Sequence, residues 1–386
     1  MKEALLLTPG PTNVPRRILD ATAIPMIHHR TKEFQAILER VFCGLQKVFY
    51  TKHPVMLFAA SGTGAMEGSV TNLFSKGDTV LSFTAGKWGE RYRDIAKVYG
   101  LDVKNFELPY GEAFNPGQIA DALRQHPGAK GVLTTLCETS TAVMHPIREI
   151  SQITQKSGAL LLVDAISGLA CDPLKMDEWG VDVAVCGSQK GLMLPPGLAF
   201  VAVNERAQSV FAKSTLPKYY FNFAETVKAI KKNDTPFTPA VSLIRGLEAA
   251  LEMLLEEGME NVWRRHADVA HWVREQVSAM GLTLFSKAPT SGLTAIVMPK
   301  EIASGDIIKS MREEHQVIMA DGQGDLQGKI VRFAHMGYAC TMKDAKAGLD
   351  AFHHAMAKKG YQNIIPTSVR GMSASGGNAG IKIDSR

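Results

Sequence analysis

Two residues of this sequence stand where side chains can do chemistry. Asp164 closes the apolar run 160–163, and Gln189-Lys190 follows the apolar run 181–185. Runs rich in Val and Leu and bounded by Gly and Pro read as strands buried on both faces of a parallel sheet. In open α/β sheets, ligands bind outside the carboxyl ends of the strands. A carboxylate and an amine, each at such an end, are therefore expected to face one pocket. Taken alone, a lysine after a strand is a solvated end and an aspartate there is a turn or a helix cap. It is the pair, with its spacing, that points to chemistry.

Pyridoxal phosphate needs that pair. It takes a lysine amine for its Schiff base and a carboxylate against its pyridine nitrogen, which keeps the ring protonated and electron-withdrawing. The string Gly187-Ser188-Gln189-Lys190-Gly191, followed by Pro195-Pro196-Gly197, resembles the lysine segment of class V, fold-type I aminotransferases. The likeness is strongest to the alanine–glyoxylate and serine–glyoxylate (serine–pyruvate) group, and it spans most of the chain. It implies that Lys190 carries the cofactor with Gln189 beside it, and that Asp164 pairs with the ring nitrogen.

The elements that must position these residues follow in order. Thr8-Pro9-Gly10-Pro11-Thr12-Asn13-Val14-Pro15 cannot form regular structure, because its prolines fix φ and remove donors. In the resembled family this segment crosses the active-site mouth, and the backbone at Gly10 lies against the substrate carboxylate. Residues 32–49 are amphipathic and read as a core-facing helix. Residues 55–60 read as a strand. Its turn into a helix, Ser61-Gly62-Thr63-Gly64, is a phosphate cradle, since small residues bare the amides of a helix N-terminus; Ser61, Gly62 and Thr63 match the family's cofactor-phosphate turn. It lacks the Gly-Lys-Ser/Thr of a nucleotide P-loop.

After the strand expected at 79–83, Trp88 lies between Lys87 and Gly89 with little to pack against. The family places an aromatic there, flat on the cofactor ring. A strand at 132–136 leads to Thr139, which by motif sits beside the cofactor's 3′-oxygen and the substrate carboxylate. With a further strand at 201–204 and intervening helices, the alternation predicts a mostly parallel, multi-stranded sheet with right-handed crossovers, and the resemblance implies that it has seven strands. The segment Thr235-Pro236-Phe237-Thr238-Pro239 resembles one that reaches a dimer partner's cofactor phosphate. That likeness implies a homodimer with a shared active site, in which Thr235 and Thr238 act in trans.

Helices are expected at 242–256 and 262–280, with a domain boundary between them. The reading is an N-terminal arm (1–20), a large cofactor-binding domain (21–257), a smaller α+β domain (258–365) and a Gly/Ser-rich tail (366–386) expected to be disordered. In the small domain, Arg332 interrupts the apolar strand 330–333. A buried guanidinium requires an anion, and its planar fork fits a carboxylate. The family uses this position for the substrate α-carboxylate.

Composition excludes other classes. A 386-residue chain with 45% hydrophobic and 21% charged residues is ordinary for a globular protein. The net charge of +5 is scattered and shows no nucleic-acid patch. Five cysteines, Cys43, Cys137, Cys171, Cys186 and Cys340, lack metal-ligand spacing. They indicate a reducing compartment; with no secretory signal and no apolar run of membrane-spanning length, the expected location is the cytoplasm. The expected activity moves an amino group from a small amino acid, alanine or serine, to the 2-oxo acid glyoxylate or pyruvate. The alternatives are a cysteine desulfurase-like lyase using a mobile cysteine such as Cys340, an aspartate or aminoethylphosphonate transaminase, and a non-enzymatic accessory subunit of the same fold.

Overall fold

The computed structural model describes residues 4–361; the tail expected at 366–386 lies outside them. Seven strands form the central sheet: β1 (Val55–Phe58), β2 (Thr79–Thr84), β3 (Asp102–Glu107), β4 (Gly131–Thr135), β5 (Leu160–Asp164), β6 (Val183–Gly187) and β7 (Ala199–Val203). Their order across the sheet is β1-β7-β6-β5-β4-β2-β3. Only β7 runs against its neighbours, pairing antiparallel with both β1 and β6. The mostly parallel, seven-stranded expectation is met. Its reason is visible in burial, since every residue of β4, β5, β6 and β7 is buried. Continuous apolar runs are what a sheet covered by helices on both faces requires.

Register brings the chemistry-bearing ends together. Thr135 of β4 lies opposite Asp164 of β5, and Asp164 lies opposite Val185 of β6. The loops beginning at Leu136, Ala165 and Ser188 therefore leave the sheet from the same edge. From β1 the chain turns through Ser61 into helix α1 (Gly62–Leu73), and from β2 through Gly86 into helix α2 (Lys87–Val98).

Helix α3 (Val241–Glu257) ends at Gly258, whose φ of +82° suits glycine, and helix α4 (Met259–Ala279) follows at once. Beyond it a three-stranded antiparallel sheet is built from β8 (Leu293–Val297), β9 (Ala320–Asp321) and β10 (Ile330–Ala334), in the order β8-β10-β9. Its core joins Val331 and Phe333 of β10 to Leu349 and Phe352 of the helix Met342–Lys358. Leu7 from the N-terminal segment belongs to that core too, and Leu5–Leu6 pairs in parallel with Val317–Ile318. Residues 8–15 form no helix or strand, as their prolines dictate, and cross from the small sheet to the large one. Among the described residues no helix is long and apolar enough to cross a membrane.

Candidate active site

One cavity of about 490 Å³ lies where the ends of β4, β5 and β6, the starts of α1 and α2, the N-terminal segment and β9–β10 converge. Ten residues singled out in the sequence line it: Gly10, Ser61, Gly62, Thr63, Trp88, Thr139, Asp164, Gln189, Lys190 and Arg332.

Lys190 is 7% exposed, and burial lowers its ammonium to a pKa of about 8. Its Nζ donates to the Pro9 carbonyl. The N-terminal segment is bound to the lysine's backbone as well: the Thr12 amide donates to the Gln189 carbonyl at 3.3 Å and the Thr12 hydroxyl to the Lys190 carbonyl at 3.3 Å. Gly10 packs directly against the amine, with φ +90°, and a Cβ there would meet Nζ at 2.6 Å. Only glycine fits that approach and that backbone.

Asp164 is 4% exposed, and burial raises its carboxyl to about 7. The Ile166 amide, donating to Oδ1 at 2.8 Å, and the charges of Lys190 and Arg91 oppose that rise. Pairing with a cationic ring nitrogen would reverse it.

At the start of α1, Ser61 is extended and makes no side-chain cap bond. The amides of Gly62 and Thr63 are among those a helix start leaves without intrahelical partners. The turn is crowded to the point that a Cβ on Gly62 would lie 2.5 Å from Ile166 Cδ1. Beside it Trp88, half-buried at the start of α2, presents its ring to the cavity. Arg91 stacks on that ring, its guanidinium carbon 4.4 Å from the centroid, and donates to the Thr63 hydroxyl at 3.1 Å. The phosphate turn and the aromatic are thus tied by one cation.

Trp88 is also held through its backbone. Glu138, fully buried after β4, accepts the amides of Trp88 and Gly89 at 3.0 Å on Oε2. On Oε1 it accepts the Ser140 amide at 3.1 Å and the Ser140 hydroxyl at 2.6 Å. Burial pushes the Glu138 carboxyl up and these four donors pull it back. Gly86 is required for this contact, since a Cβ would lie 2.5 Å from the Glu138 carboxyl carbon.

At the other end, Thr139 donates to Ser167 Oγ at 2.6 Å. Arg332, 5% exposed, is held by carbonyls: Nε donates to Asp321 O at 2.8 Å and Nη1 to Thr139 O at 3.3 Å. Burial lowers its pKa to about 10. No carboxylate pairs with it among the described residues, which leaves its fork for an anion from the cavity.

Thr235 and Thr238 are elsewhere. They line a second small cavity with Tyr220 and Phe237, and the Thr235 hydroxyl donates to the Phe237 carbonyl at 2.8 Å. Arg30 fastens that loop through Asp234 at 2.6 Å and the Thr235 carbonyl at 2.8 Å. The polar cavity residues that the sequence did not reveal are Arg91, Ser167 and Gln323, with Glu138 behind them. Cys340 is buried and its thiol is pushed up to about 12 by burial, so it is no mobile nucleophile.

The lining fits pyridoxal phosphate. It offers one buried amine, one buried carboxylate, one helix N-terminus and one aromatic face. It also holds Trp88 Nε1 and Gln189 Oε1, buried polar atoms without a partner in the protein.

Residues 5–341 match the family model described as aminotransferase class-V. The chain is 36% identical over 370 residues to a protein named soluble hydrogenase, small subunit, from Synechococcus sp. (strain PCC 6716), covering 94% of this chain and 96% of that one. It is 36% identical over 363 residues to the L-aspartate–glyoxylate aminotransferase of Paracoccus denitrificans, covering 92% and 91%. The crystal structure of an alanine–glyoxylate aminotransferase from Nostoc sp. superposes with a TM-score of 0.89 at 28% identity, covering 92% of this chain and 96% of that one.

Proposed function

The chain belongs to the class-V aminotransferases, pyridoxal-phosphate enzymes that transfer amino groups, and on that premise we propose that it moves the amino group of alanine or serine to glyoxylate or pyruvate. The observation that carries the reading is the shape of one cavity: the amine of Lys190, the carboxyl of Asp164 and the unpaired guanidinium of Arg332 all open into it.

Pyridoxal phosphate, when bound, supplies a ring that withdraws electrons from the substrate. The chain's own residues do the rest. Asp164 keeps a proton on the ring nitrogen by charge pairing, which its apolar surroundings strengthen. Ser61, Gly62 and Thr63 hold the phosphate with backbone amides, and Trp88 covers the ring. Lys190 Nζ would hold the cofactor and, as a free amine, would move the proton at the donor's Cα. Its lowered pKa suits both tasks at neutral pH. Arg332 takes the donor's α-carboxylate, with Gly10 closing the space behind it. Thr139 and Ser167 stand between the two ends.

Small donors fit this arrangement because Arg91, the further cation of the cavity, is occupied by Trp88 and Thr63. The relative named for aspartate makes that amino acid the competitor to include. The decisive assay follows glycine formed from glyoxylate with alanine, serine, aspartate and aminoethylphosphonate as donors. Alanine or serine at least tenfold ahead supports the proposal; aspartate ahead refutes it.

A homodimer with Thr238 and the Thr235 loop reaching the partner's phosphate turn accounts for the exposed aromatics beside that loop, Tyr219 (83% exposed) and Phe237 (36% exposed). A cytoplasmic location agrees with five free cysteines.

A further inference from the structure

The wall contributed by the small sheet carries a polar group that none of these roles uses. Gln323 lines the cavity together with Ala320 and Arg332. Its Oε1 is buried and has no hydrogen-bond partner in the protein. Leaving an acceptor so is costly, and such a group in a native structure calls for an explanation, a missing partner among them.

The loop bearing Gln323 is fastened, so the backbone that carries this side chain is held in place. Asp321 Oδ1 accepts the Ser304 hydroxyl at 2.5 Å and the amides of Gly322 at 2.6 Å and Gly328 at 3.0 Å. The Leu326 amide closes back on the Gln323 carbonyl at 3.2 Å. Gly322 is squeezed, since a Cβ there would sit 2.0 Å from the Leu326 carbonyl oxygen. The same loop anchors Arg332, through the Asp321 carbonyl at 2.8 Å. Gln323 is thus held two residues from the contact that fixes the guanidinium.

We propose that Gln323 is a specificity-determining residue that accepts a hydrogen bond from a side-chain hydroxyl of the amino donor, so that the pocket favours serine over alanine. This rests on the transamination reading above. A donor with its carboxylate on Arg332 and its amino group toward Lys190 has only its side chain left to meet the neighbouring wall. Serine brings a hydroxyl proton to Oε1. Alanine brings a methyl group and leaves the oxygen unpaired. Aspartate brings an anion against an acceptor. A site built to hydrogen-bond a substrate hydroxyl discriminates against the analogue lacking it far more strongly than an apolar pocket does.

The test is kcat/KM for L-serine and for L-alanine, with glyoxylate, in the wild type, Gln323→Leu and Gln323→Glu, together with Kd for each amino acid from spectral titration. Gln323→Leu is expected to lower the serine-to-alanine ratio about tenfold or more through serine alone, in both kcat/KM and Kd. Gln323→Glu, which keeps an acceptor, is expected to retain the ratio within about threefold. An unchanged ratio in Gln323→Leu, or an equal loss for both donors, overturns the assignment while leaving transamination standing. A wild type that turns over neither amino acid overturns both.

Discussion

Gly10 and Lys190, far apart in the sequence, are in direct contact: a Cβ on Gly10 would stand 2.6 Å from Lys190 Nζ and 2.5 Å from its Cδ. The amine's neighbour on that side is bare backbone, so the lysine's position depends on a residue without a side chain.

Gly10→Ala is therefore expected to displace the amine, and the φ of +90° adds strain of its own. Misplacing a reacting group by about 1 Å costs roughly 100-fold in rate. Stopped-flow measurement of the first half-reaction should show a loss of about that size. The circular dichroism spectrum should be unaltered. Near-wild-type rates would contradict the close approach.

The Lys190 amine, buried and lowered to about 8, reacts with the cofactor only when neutral. Below pH 8 the rate at which apoprotein takes up pyridoxal phosphate is expected to rise about tenfold per pH unit, and above it to level off. A rate still climbing at pH 10 would mean that burial does not set this group.

Asp164 makes the opposite prediction for the protein without cofactor. Its folded-state pKa, about 7, lies above the ordinary 3.8. The stability it contributes is complete below pH 3.8 and is lost as pH rises through 7. Asp164→Asn removes that charge, so the apoprotein variant should be more stable than wild type at pH 8, by at most about 4 kcal/mol. Calorimetry should find the gap closing toward pH 4. With cofactor bound the order should reverse, because the pairing partner of the ring nitrogen is gone.

Glu138 uses both oxygens to accept four hydrogens. An amide in its place turns an NH2 toward two of those donors, so Glu138→Gln is expected to destabilise the fold by roughly 2–4 kcal/mol. It should also weaken pyridoxal phosphate binding about tenfold by shifting Trp88. If the loss acts through the Trp88 ring, it vanishes in a Trp88→Ala background, where there is no ring left to position. A loss of the same size in both backgrounds would assign Glu138 a purely structural part.

Much of this was legible in the sequence, and the remainder was hidden for identifiable reasons. Buried strands such as Leu160–Asp164 announce themselves because both faces must be apolar. The edge strand Asp102–Glu107 has one neighbour and mixed exposure, so its DVKNFE carries little pattern. Lys190, Asp164 and the Ser61 turn follow strands and could be placed by position alone. Arg91 stands three residues from Trp88, the spacing at which helical side chains meet; that signal was available. Glu138 looks like a solvated carboxylate, since nothing local reveals that two distant amides close on it. Gln323 sits in a polar loop whose aim is set by Asp321 and by β10, contacts between segments that one-dimensional reading does not bring together. Thr235 and Thr238 line a cavity of their own within one chain, so their proposed role depends on a second copy.

The central claim is tested most directly by the visible absorbance of purified protein loaded with pyridoxal phosphate. The band of the lysine-bound cofactor is expected to disappear on adding L-alanine or L-serine and to return on adding glyoxylate, with Lys190→Ala showing neither the band nor the cycle. A band that never responds to either amino acid, or a Lys190→Ala protein that still cycles, would contradict the account.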